Sequence, residues 1–180
     1  MTDDFIIPLN GLKAGKTEFF WNADEEFFRK FDNSDIIAAG IRVGAVVEKS
    51  GKYLGVDAEI EGTLTVPCDR CLEEVTLPIS AEFRLSVKFG AEPGESEPAA
   101  DEDEREIIWI PDSSADLDLS QTVYDYACLA LPMQRVHPEG ECSPEVLKYL
   151  SGTAEDIDGE DAGEEAENNP FAVLKGLKMD

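Results

Sequence analysis

Three cysteines and the only histidine of this 180-residue chain fall into two short segments whose residue types are typical of a metal site. Cys68 and Cys71 form a C-x-x-C pair, while His137 and Cys142 lie together in a later segment. Thiolates and a neutral imidazole are the ligands that zinc takes in closed tetrahedral sites. If the two segments meet, the four residues predict one structural zinc ion without an open coordination position.

Two other interpretations of these cysteines stay open. Sequence alone does not show that the C-x-x-C pair meets His137, so all four cysteines of the chain could be free reduced thiols. The pair could also serve a thiol-disulfide enzyme, but such a C-x-x-C normally opens a helix in a parallel βαβ unit. Here residues 72–80 predict a turn and a strand instead. Cys128 lies within a predicted helix and is interpreted as a small buried apolar residue.

The C-x-x-C pair follows the longest alternation of apolar and polar residues in the chain, over residues 56–66. Residues 41–49 and 81–89 show the same period of two. Alternation of this kind predicts antiparallel strands with one buried and one solvated face. The first two of these strands are expected to form a hairpin.

Two basic residues share the solvated face of the third strand. Arg84 and Lys88 could form a small basic patch, or could pair across strands with the acidic row Asp57, Glu59 and Glu61. Cross-strand pairing of opposite charges stabilises a sheet, and we favour this interpretation.

Three helices and a further strand complete the predicted elements. Asp24 or Asn22 is a candidate N-cap for a helix over Glu25–Phe31. Residues 106–110 predict a strand, residues 116–131 a helix that begins with acidic residues, and Ser143 caps a short final helix. The expected fold class is α+β, with an antiparallel sheet curled toward a barrel and helices packed on one side.

The acidic residues divide the chain. Fifteen Lys and Arg against forty Asp and Glu give a net charge of −25, which argues against a protein that binds RNA by overall charge. We expect one domain over residues 1–150 with an acidic loop near 91–106, an acidic disordered linker over 151–169, and a short apolar motif over 170–180. The acidic runs are interpreted as solvated linkers, with a tether for a basic partner as the alternative.

Other function classes lack their sequence signals. No stretch has the roughly 20 apolar residues of a transmembrane helix, and the first residues lack the pattern of a signal peptide, so we expect a cytoplasmic protein. Nucleophile-elbow, phosphate-binding and dinucleotide motifs are not found, so we expect no enzyme and no small-molecule substrate.

The last residues return to an apolar pattern after the acidic run. Phe171, Leu174 and Leu177, preceded by Pro170, share one face of a short helix. Such a face could enter a groove of a partner or pack on the chain's own domain.

Three motifs in a fixed order resemble the YceD family of bacterial proteins for large ribosomal RNA subunit accumulation. They are C-D-R-C-L at Cys68–Leu72, L-A-L-P at Leu129–Pro132 followed by His137 and Cys142, and N-P-F-A-V-L-x-x-L-K at the end. The likeness extends from about residue 5 to the last residue. It implies a non-catalytic factor for the synthesis, processing or accumulation of large-subunit ribosomal RNA, with a ribosomal protein or precursor RNA as partner.

Overall fold

A five-stranded sheet is the largest element of the computed structural model, which describes residues 5–51, 53–90 and 105–146. Its strands lie in the order β2-β3-β4-β5-β6, and a separate two-stranded sheet pairs β1 with β7. The elements are β1 (Ile6–Pro8), a 3₁₀ turn (Leu9–Gly11), β2 (Gly15–Asp24), α1 (Glu25–Arg29), β3 (Ala38–Ser50), β4 (Tyr53–Pro67), β5 (Glu74–Phe89), β6 (Glu106–Ile110), β7 (Asp116–Asp118) and α2 (Ser120–Leu129).

The predicted alternation is seen in the long central strands. β3 and β4 form the expected antiparallel hairpin, with Val43 opposite Ile60. Both of these side chains are buried, whereas Glu59 and Glu61 between the buried positions of β4 are exposed. Because successive side chains point to opposite faces, one face of the sheet is apolar and the other is open to solvent.

The helices and the small sheet cover the apolar face. Asp24 caps α1, since its Oδ1 accepts hydrogen bonds from the backbone N–H groups of Glu26 and Phe27 at 3.0 and 3.2 Å. Phe27 and Phe28 of α1 are buried, as are Val123 and Ala127 of α2. The resulting core is bounded on one side by the sheet, as expected for an α+β domain.

Two expectations about the fold need correction, and a third is not confirmed. β6 lies parallel to β5, so the sheet is mixed and not purely antiparallel. The described sheet is open, with β2 and β6 at its edges, and closure toward a barrel is not confirmed. The helix expected over 116–131 begins only at Ser120.

The strand β7 explains the late start of α2. Leu117 pairs with Ile7 of β1, and both side chains are buried while Asp116 and Asp118 are exposed. The sequence Asp-Leu-Asp-Leu therefore follows the period of a strand. Asp118 still contributes to the helix start, because its Oδ1 accepts a hydrogen bond from the N–H of Ser120 at 2.8 Å.

Several predicted segments lie wholly or largely outside the described residues. They include most of the acidic loop near 91–106, the linker 151–169 and the apolar motif 170–180, with its candidate residues Pro170, Phe171, Leu174 and Leu177. Within the described part, a helical turn begins at Pro144, as the N-cap assignment of Ser143 predicts. No helix in the described ranges has both the length and the apolar character to span a bilayer.

Candidate metal centre

The C-x-x-C pair lies in a tight turn between β4 and β5. The N–H of Cys68 donates to the carbonyl oxygen of Glu73 at 2.8 Å, and the N–H of Leu72 donates to that of Cys68 at 2.9 Å. Leu72 has a φ of 63°, in the left-handed region. The N–H of Arg70 is 3.4 Å from the Cys68 sulfur and donates to it. Such backbone N–H groups stabilise a thiolate, as in the small turns that hold zinc in proteins.

An ion pair attaches the second segment to this turn. The carboxylate of Asp69 accepts the N–H of Arg135 at 2.7 Å and its guanidinium at 3.0 Å, while the N–H of Asp69 donates to the carbonyl oxygen of Arg135 at 2.8 Å. The N–H of Arg135, with its side chain, holds the pKa of Asp69 below its usual value. Sequence reasoning missed this pair, although an Asp and an Arg occupy the two central positions of the C-x-x-C motif and a second Arg lies shortly before His137.

The structure brings the four candidate ligands together. The Cys71 sulfur is 3.4 Å from Nδ1 of His137, and the Cys142 sulfur is 3.9 Å from the same atom. The sulfurs of Cys68 and Cys142 are 4.0 Å apart, and all four ligand atoms lie within 4.8 Å of one another. Zinc bond lengths in a regular tetrahedron place neighbouring ligand atoms about 3.5 to 3.8 Å apart. The cluster therefore has the size of a closed Cys3His zinc site.

A backbone carbonyl fixes the orientation of the histidine. Nε2 of His137 is 3.0 Å from the carbonyl oxygen of Glu74, the first residue of β5. With its proton on Nε2, the ring donates to this oxygen and presents the lone pair of Nδ1 to the three sulfurs. Metal-bound histidines commonly have such a partner on the other nitrogen.

The electrostatics of the cluster favour a charged sulfur. Burial raises the pKa of Cys68, but the N–H groups of Cys71 and Arg70, together with His137, outweigh it and lower the value to about 6. The hydrogen bond to Cys68 in turn raises the pKa of His137. At Cys142, burial and the neighbouring sulfurs raise the pKa. A thiolate is thus already favoured at neutral pH, which suits a site that binds a cation.

The geometry differs from that of a thiol-disulfide enzyme. The C-x-x-C pair is followed by β5, whereas the reactive cysteine of such enzymes lies at a helix N-terminus. Cys68 and Cys71 are both buried, which restricts attack on a disulfide in solution. Cys128 lies apart in α2, half-buried beside Tyr124 and Asn33, and burial raises its pKa.

Comparison with known proteins identifies the family. A family model described as large ribosomal RNA subunit accumulation protein YceD matches residues 56–178, which include all four clustered residues and the C-terminal motif. No curated protein and no solved structure matches the chain significantly. Because the match covers more than half of the chain, the protein belongs to the YceD family.

Proposed function

We propose that this protein promotes the accumulation of large-subunit ribosomal RNA in the cytoplasm as a non-catalytic factor that binds a ribosomal protein or precursor RNA. The observation that carries the proposal is the family match over residues 56–178, since the family's description names large ribosomal RNA subunit accumulation. The absence of an open ligand position in the Cys3His cluster supports a structural and not a catalytic centre.

We further propose that the cluster holds one structural zinc ion. Cys68 and Cys71 would bind it from the turn after β4, and His137 and Cys142 from the segment after α2. Zinc would supply a cross-link between two segments far apart in sequence, in place of a disulfide. Its effect on folding would come from binding the folded chain and not the unfolded one.

The functional test is complementation in a bacterial strain that lacks the protein. Wild-type chain should restore the level of large-subunit ribosomal RNA, and Cys71→Ser, which removes one ligand, should restore less. Cys128→Ser, outside the cluster, is the matched control and should behave as wild type. Equal RNA levels with and without the wild-type chain would contradict the proposed role.

The partner class is tested by affinity purification of the full chain from cells with and without nuclease treatment. A ribosomal protein should remain bound after nuclease, whereas a partner held only through precursor RNA should be lost. RNA binding should also weaken steeply with salt.

A thiol-disulfide enzyme is the second candidate, because the lowered pKa of Cys68 is a property that such enzymes share. It predicts turnover of a model disulfide by the purified chain and loss of this turnover in Cys71→Ser. The zinc site predicts about one zinc per chain and no turnover, so elemental analysis and a reductase assay on one preparation decide between them.

A further inference from the structure

The solvated face of the main sheet carries a groove that neither the metal centre nor the family match accounts for. Its volume is about 550 Å³. The groove spans four strands, and we call it the acidic groove. Its charged lining residues are four carboxylates and two guanidinium groups: Glu18, Asp57, Glu59, Glu82, Arg84 and Arg105.

Two carboxylates face each other in the acidic groove. Glu59 of β4 lies directly opposite Glu82 of β5, and both are exposed. Like charges at such a position destabilise a sheet. Within the described part of the chain, neither side chain has an ion pair or a hydrogen bond that would offset this repulsion. The pair therefore has a negative charge that a cation from outside could neutralise.

Another carboxylate on the same face of the sheet is paired with basic residues of the chain. Asp57, two residues before Glu59 on β4, is opposite Arg84, and the Nε of Arg84 is 4.0 Å from the Oδ1 of Asp57. Arg105 contacts both oxygens of Asp57, at 2.9 and 3.1 Å. Among the described residues, two arginines thus neutralise Asp57, and none pairs with Glu59 or Glu82.

An exposed aromatic ring forms the other wall. Phe20 of β2 is 76% exposed, although it lies in the middle of a strand. It is opposite Gly44 of β3, and its ring lies over that glycine, 3.4 Å from where a Cβ would be. The ring, this glycine and Glu59 on the next strand all line the groove, so one bound group could touch both the ring and the carboxylate. A guanidinium suits this position, since it stacks on aromatic rings and donates two hydrogen bonds to carboxylates.

We propose that the acidic groove binds a basic protein segment through an arginine placed between the ring of Phe20 and the carboxylates of Glu59 and Glu82. This deepens the proposed function, on which it rests, by assigning the partner surface to a basic protein such as a ribosomal protein. Charge complementarity argues for this occupant, because RNA phosphates would meet the two carboxylates.

The test uses the full chain and a labelled peptide of alternating arginine and serine residues. At physiological salt, Glu59→Gln with Glu82→Gln should weaken peptide binding about tenfold, since two charge-assisted hydrogen bonds are lost. Phe20→Ala should weaken it as well. The control, Glu26→Gln with Glu145→Gln, removes the same charge elsewhere and should change binding by less than about twofold. Amide shifts caused by the peptide should centre on the groove residues.

Three results would overturn the inference. The first is equal weakening by both double variants, with amide shifts confined to the acidic runs 92–106 and 155–167. The second is an RNA oligonucleotide that displaces the peptide and shifts the same groove amides. The third is full restoration of ribosomal RNA by Glu59→Gln with Glu82→Gln. Unfolding midpoints of all variants are measured first, so that loss of fold is not mistaken for loss of binding.

Different results would contradict the groove assignment and the proposed function. If the wild-type chain does not restore ribosomal RNA, the proposed function is wrong, and the peptide titration still decides whether the groove binds arginine. If the wild-type chain restores RNA but the peptide does not bind at the groove, only the groove assignment is wrong.

Discussion

The candidate metal centre includes the turn that follows β4, and the acidic groove crosses the middle of the same strand. The two regions use their polar groups in opposite ways. At the candidate metal centre the polar side chains have partners within the chain: Asp69 accepts a hydrogen bond from Arg135, and His137 contacts both a sulfur and the carbonyl oxygen of Glu74. In the groove, Glu59 and Glu82 repel each other without compensation from the described residues. Satisfied polar groups fix a conformation, whereas unsatisfied exposed charges cost stability and are available to a partner.

The largest effect should come from removing a ligand at the metal centre. Cys142→Ser replaces a buried sulfur of the cluster and should lower the zinc content from about one per chain to near zero. A metal that binds only the folded state stabilises it by about 4 kcal/mol when its free concentration is 1,000 times Kd. Chemical denaturation with and without a chelator measures the contribution of the metal to the free energy of unfolding. A chelator that leaves the wild-type stability unchanged would contradict the structural role of the metal.

A second large effect concerns the pH dependence of Cys68 in the metal-free chain. Its pKa is lowered from 9.0 to about 6, so the thiolate is favoured by folding. The corresponding stability is complete above the unfolded value of 9.0 and is lost as pH falls through about 6. The ultraviolet absorbance of the thiolate, taken as the difference between the metal-free chain and Cys68→Ser, should rise with a midpoint near pH 6. A midpoint near that of an ordinary thiol would show that the backbone N–H groups do not hold a thiolate here.

A change on the strand between the two regions should disturb both. A Cβ on Gly62 of β4 would overlap the carbonyl oxygen of Gly40 on β3 and lie 2.7 Å from Cα of Ile41. These are backbone atoms, so Gly62→Ala should force the strands apart and cost about 1 to 3 kcal/mol. Denaturation gives the magnitude, with Gly11→Ala as control because nothing lies within 4 Å of that position. Equal stability of the two variants would show that β3 and β4 can separate freely at this point.

Sequence patterns predicted the elements that depend on local periodicity. The strands β3 and β4 were predicted because every second side chain is buried, and α1 because Asp24 suits an N-cap. The direction of β6 was not predictable, since a five-residue apolar run fits a parallel or an antiparallel neighbour. The start of α2 was misplaced because Asp116 suits either a helix N-terminus or an exposed strand position.

The two regions also differ in how much of each could be predicted from the sequence. The residue types at Cys68, Cys71, His137 and Cys142 restrict the chemistry strongly, so the cluster could be proposed before the fold was known. The contacts that support the cluster depend on which segments meet in the fold, so they could not be predicted from the sequence. The groove had no motif at all. Glu59 was expected to belong to an acidic row paired with Arg84 and Lys88, and only the register places it opposite Glu82. The expected pairing of Asp57 with Arg84 is seen, whereas Lys88 instead lies over the ring of Trp109.

The smallest change in the free energy of unfolding is expected at the groove, and here the substitution should increase stability. Glu82→Gln removes the repulsion with Glu59 and should stabilise the chain by about 0.2 to 1 kcal/mol, the range measured for cross-strand pairs. Arg84→Gln, two residues along the same strand, is the matched control and should destabilise slightly because it removes an ion pair with Asp57. Added salt should reduce both differences, since exposed charges are screened. A loss of stability in Glu82→Gln would show that this carboxylate has a favourable partner within the chain. A gain in stability together with weaker peptide binding would show that Glu82 contributes to binding at a cost in stability. A residue selected for stability alone would not keep that charge.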